Sequence, residues 1–110
     1  MPKYLIQASY VGEGIAGLLK EGGSGRVKAS VKVIEALGGK VETMYFAFGG
    51  TDGFIIVDLP DNVSAATCSL LVNASGKIKV TYTPLITPEE VDQAAEKSRQ
   101  LSAAYRAPGE

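Results

Sequence analysis

Apolar residues alternate with polar ones from Lys3 to Tyr10, with Tyr4, Ile6, Ala8 and Tyr10 on one face and Leu5, Gln7 and Ser9 on the other. That is the period of a β-strand. Gly12 and Gly14 interrupt it, and Ile15, Leu18 and Leu19 then give a short helical pattern that stops at Gly22-Gly23. A second helical stretch places Val27, Val31, Ile34 and Leu37 on one stripe and ends at Gly38-Gly39. Two strands, Lys40–Phe48 and Asp52–Leu59, are predicted around a turn at Gly49-Gly50-Thr51. Asp61 or Asn62 can cap the next helix, whose apolar face is predicted to be Val63, Ala66, Leu70 and Ala74, ending at Gly76. Lys77–Thr83 alternates again, with Ile78, Val80 and Tyr82 inward. Thr87-Pro88-Glu89-Glu90 then carries a capping box with proline at the first helical position, which predicts a helix of about four turns.

The order is β-α-β-β-α-β followed by a C-terminal helix: an α+β, ferredoxin-like fold on a four-stranded antiparallel sheet. A single domain over residues 1–110 is expected, with residues 1–86 as the core and 87–106 as the added helix. Right-handed crossovers put the first two helices on one face of the sheet. Tyr45, Phe46, Phe48, Phe54, Ile55, Ile56 and Val57 then make the central hairpin apolar on both faces. An antiparallel hairpin ordinarily wets one face. The expected cover for the second face is another copy of the chain, packed sheet on sheet across a two-fold axis, as a homodimer or a larger homo-oligomer.

Composition narrows the chemistry. Histidine is absent, so zinc sites built on imidazole and every Ser-His or Cys-His nucleophile pair are excluded. No metal or cofactor is expected. The 11 basic and 12 acidic residues are spread evenly, which leaves no basic patch for nucleic acid. No apolar run approaches the ~20 residues of a membrane span. The N-terminal residues lack the pattern of a signal peptide. Cys68 is the only cysteine, so no disulfide can form within the chain, and a cytoplasmic location is expected.

Met1-Pro2-Lys3-Tyr4, Gly17–Gly23, Phe46–Asp52, Asp58–Ala66 and Leu85–Val91 together resemble the GYD-domain family of small bacterial proteins, over about residues 2–95. The resemblance implies a ferredoxin-like fold of the dimeric α/β-barrel type and implies no particular activity. The family's Gly-Tyr-Asp motif stands here as Gly50-Thr51-Asp52, so the aromatic ring is missing and the carboxylate is kept.

Several residues are candidates for a site. Gly12-Glu13-Gly14-Ile15-Ala16-Gly17 matches a dinucleotide fingerprint. Glu13 would repel a pyrophosphate there, and the following strands form a hairpin instead of a parallel crossover. Gly22-Gly23-Ser24-Gly25-Arg26 is either a hinge or an anion-holding nest, with Ser24 and Arg26 as ligand-binding candidates. Asp52 is either a turn residue or a general base, Tyr10 would be its partner acid, and Tyr45 is a further ligand-contact candidate. Cys68 reads as a small buried hydrophobe. These residues support an oligomeric small-molecule-binding domain as the leading expectation. The alternatives are a cofactor-independent oxygenase or isomerase using Asp52 as base, and a structural or regulatory oligomerisation module.

Overall fold

The computed structural model describes all residues, Met1–Glu110. The elements run β1 (Lys3–Tyr10), α1 (Gly14–Ala36), β2 (Lys40–Phe46), β3 (Gly53–Asp58), α2 (Asn62–Ala74), β4 (Ile78–Leu85) and α3 (Pro88–Gln100), with a 3-10 turn at Ser102–Ala104. The four strands form one antiparallel sheet in the order β2-β3-β1-β4, the arrangement expected of a ferredoxin-like α+β fold. Helices α1 and α2 cover one face. Their Ile34, Ala65 and Cys68 join Tyr4, Ile6, Ala8, Ile55, Val57 and Val80 from the sheet, and Leu59 just beyond it, in a single buried core.

The alternation expected for β1 and β4 is present, with Tyr4, Ile6, Ala8 and Val80 buried on the helix side. Buried Tyr4 satisfies its phenol by donating to Asn62 Oδ1 at 2.6 Å. Strand β2 departs from simple alternation. A bulge between Val41 and Thr43 shifts the register, so Val41, opposite Val57, shares a face with Met44 and Phe46. Both hairpin strands are shorter than the sequence suggests, and the connection between them runs from Ala47 to Asp52. Phe48 lies in that connection, fully exposed at 106%.

Residues on the helix-free face of the sheet include Leu5, Tyr45, Phe54 and Ile56, beside Gln7, Thr43, Thr81 and Thr83. This face is therefore apolar toward β2 and β3 and polar toward β4, where the hairpin alone suggested an apolar surface throughout.

Helix α1 contains the break expected at Gly22, whose φ of 76° and ψ of 167° separate two helical pieces. Only a residue without Cβ takes that conformation at no steric cost. The orientation expected for α2 is corrected. Ala65 and Cys68 are its buried residues and Val72 packs behind them, whereas Val63 and Leu70 point to solvent. Asp61 caps α2, its carboxylate accepting from the Ser64 N–H at 2.8 Å.

The capping box of α3 is complete. The Glu90 N–H donates to Thr87 Oγ1 at 3.1 Å, and the Thr87 N–H donates to Glu90 Oε1 at 3.0 Å. No residue of α3 is buried. The helix projects from the body and gives the chain a radius of gyration of 17.7 Å, against ~13 Å for a compact domain of this size. Because α3 stands apart, loss of its cap should register locally. Thr87→Ala is expected to speed amide exchange in α3 by roughly two- to thirtyfold, the equivalent of ~0.5–2 kcal/mol. Unchanged exchange rates would show that Thr87 does not hold the helix start.

Candidate functional site

Small residues facing one another leave room inside the core. Ala8 pairs with Gly53 across β1 and β3, and Ala29 and Ser30 line the opposing wall of α1. Between them lies a cavity of about 190 Å³. Its floor is Ile6, Ala8, Ile34, Ile55, Cys68 and Val80, all buried. Tyr10, Arg26 and Phe46 retain solvent exposure and mark its mouth. The Phe46 ring sits against Gly23, where an added Cβ would meet it at 3.4 Å. In all, 14 of the 17 lining residues are hydrophobic, so an occupant is held mainly by apolar contact.

Arg26 is the only charged residue in the lining. Its side chain keeps 24% of its surface exposed, and Nη1 donates to Glu21 Oε2 at 3.2 Å. Its Nε is buried and has no hydrogen-bond partner. Burial opposes the guanidinium charge, but the hydrogen bond to Glu21 and the proximity of the Tyr10 hydroxyl outweigh that effect and raise its pKa above the ordinary arginine value. The cation is therefore permanent.

Deeper in the cavity, Tyr82 faces Cys68. Burial is the main cause raising the Tyr82 phenol far above its ordinary pKa, and the Cys68 contact adds to it. Burial likewise raises the Cys68 thiol, only partly offset by the Tyr82 hydroxyl. Both groups stay protonated at neutral pH. A thiol in that state is a poor nucleophile.

Of the residues singled out from sequence, Tyr10 and Arg26 come together at the cavity mouth. The other three lie elsewhere. Ser24 is exposed on α1. Tyr45 is 70% exposed on the helix-free face of the sheet. Asp52 lies outside the lining and ties the β2–β3 connection to β1. Its Oδ2 accepts from the Tyr10 N–H at 2.9 Å, and its own N–H donates to the Ala8 carbonyl at 2.9 Å. Thr51, at the position of the family tyrosine, donates to Gln7 Oε1 at 3.5 Å. No cluster of three or more Cys, Asp or Glu side chains is gathered in a metal-binding arrangement.

Ser30 and Phe46 belong to the cavity but were not picked out from sequence, while Cys68, read there as a small buried hydrophobe, lines it as well. Facing small residues on strand and helix were the one available signal, and the strand pairing had to be known before it could be read.

A ferredoxin-like domain with an apolar cavity between sheet and helices is the class that this geometry defines. The family model of the GYD domain matches residues 4–95, and the chain belongs to that family. No curated protein and no solved structure matches the chain. No helix is long and apolar enough to cross a membrane.

Proposed function

We propose that this protein is a self-associating small-molecule-binding domain whose ligand occupies the cavity between the sheet and the α1–α2 layer. The observation that carries the reading is the cavity itself, apolar over most of its wall and furnished with a few polar groups. The buried thiol and phenol inside it are held neutral, which suits binding better than nucleophilic chemistry. A cytoplasmic setting is the reading that a single free cysteine, Cys68, supports.

Self-association is supported by two surfaces. The helix-free face of the sheet exposes Tyr45 and Phe54, and α3 exposes Val91, with Leu101 and Tyr105 just beyond its end. A helix of 13 residues without tertiary packing is marginal in water, so α3 gains most from docking on a second copy.

Native mass spectrometry of freshly purified protein should find a dimer, or a multiple of one, carrying a small organic adduct. A monomeric mass at micromolar concentration overturns the self-association. Protein that emerges free of adduct, and gains none from a panel of small apolar compounds, overturns the binding reading.

A further inference from the structure

The cavity is asymmetric in charge. No acidic residue lines it, and Ser30, Tyr10, Tyr82 and Cys68 are its neutral polar groups. The single cation, Arg26, stands at the mouth with Nη1 directed to Glu21. Nη2 makes no hydrogen bond within the chain and keeps accessible surface, whereas Nε is enclosed without an acceptor. A guanidinium donor left without a partner at the edge of an apolar cavity favours a charge-assisted bond to an anion.

Size sets a second condition. An apolar cavity of about 150 Å³ takes a benzene ring. The 190 Å³ found here admits such a ring with one small polar group attached. A phosphate ester would bring more charge and more acceptor oxygens than one arginine and two or three hydroxyls satisfy. A monoanion fits both conditions.

We propose that the cavity binds a compact apolar carboxylic acid, of about the size of an aromatic ring bearing a carboxylate. Arg26 receives the carboxylate through Nη2, and the apolar body rests on Ile6, Ile55 and Val80. Tyr10 and Ser30 line the same cavity and supply further hydroxyl donors. This assignment rests on the cavity being the ligand site, and it adds the class of ligand.

The test compares phenylacetate with phenylacetamide, which has nearly the same shape and no charge, by titration calorimetry on the intact protein at neutral pH. Phenylacetate should bind, and the amide should bind roughly ten- to hundredfold more weakly, because it forgoes the charge-assisted pair. Arg26→Gln should abolish the preference, leaving the two compounds within about threefold of each other. Equal binding of acid and amide to the parent overturns the carboxylate assignment and leaves the cavity as a ligand site. Binding of neither compound overturns the assignment too; the adduct measurement then decides separately whether the cavity is a ligand site at all. The parent comparison needs no variant, so poor folding of Arg26→Gln would not remove the test. A folded Arg26→Gln protein that still prefers the acid assigns the selectivity to another group and overturns the role of Arg26.

Discussion

Leu59→Ala is expected to destabilise the domain by about 2–5 kcal/mol, a large share of the ~5–15 kcal/mol that holds a domain together. Leu59 follows β3 and has no exposed surface. Its Cδ2 lies against Gly39, where an added Cβ would approach it to 2.8 Å, beside Ile34. Gly39 and Ile34, packed beside it, leave little freedom to fill the space of an isobutyl group. The expected fall in melting temperature is on the order of 10–20 °C. Leu70→Ala is the matched control, because Leu70 is 72% exposed on the outer side of α2. It should change stability by no more than ~0.5 kcal/mol. Similar losses for the two variants would show that α2 buries its Leu70 side.

Gly14→Ala should be nearly as damaging, although it adds one methyl group. A Cβ at Gly14 would lie 1.9 Å from the Lys77 carbonyl oxygen and 3.0 Å from its carbon. Both are backbone atoms at the entrance to β4, and the Val11 N–H already donates to that same oxygen at 2.9 Å. No rotamer change can relieve the contact, so the start of α1 must move off the sheet. Overpacking of this kind costs about 1–3 kcal/mol, sometimes more. Gly17→Ala, in the same glycine pattern, meets nothing within 4 Å. It should be stabilising by ~0.4–1 kcal/mol through the unfolded chain. Chemical denaturation of the two variants checks both signs at once. Equal effects would mean that Gly14 is not wedged against β4.

That contrast explains a motif that was ambiguous in the sequence. The Gly12–Gly17 pattern resembles a phosphate-binding fingerprint, yet Gly14 is required by the close passage of helix over strand. Elements with strong local signals were legible: the alternation of β1 and β4, the capping box at Thr87 and the break at Gly22. Each is set by residues near one another in the chain. The orientation of α2 was not, because Val63, Ala66 and Leu70 are as apolar as Ala65, Cys68 and Val72. Only packing on the sheet decides which stripe turns inward. The bulge in β2 was hidden for a similar reason, since its effect is a change of register against β3. For the site, Arg26 and Tyr10 could be picked out by chemistry. The space beside them could not, because it arises where Ala8 and Gly53 meet Ala29 and Ser30 across two layers.

The two walls of the cavity are held in different ways, as the fastening at Asp52 shows. On the sheet side, the Asp52 carboxylate binds the Tyr10 N–H and its backbone N–H binds the Ala8 carbonyl. Tyr10, Gly53 and Phe46 therefore belong to one hydrogen-bonded frame that cannot open without breaking the ladder. Across the mouth, the helical ladder is already interrupted at Gly22, immediately before the Gly23 that meets Phe46. The α1 residues that line the cavity, Arg26, Ala29, Ser30, Val33 and Ile34, all follow that break. The cavity is thus bounded by one wall of paired strands and one wall of unbroken helix, and the single interruption of α1 falls just outside it.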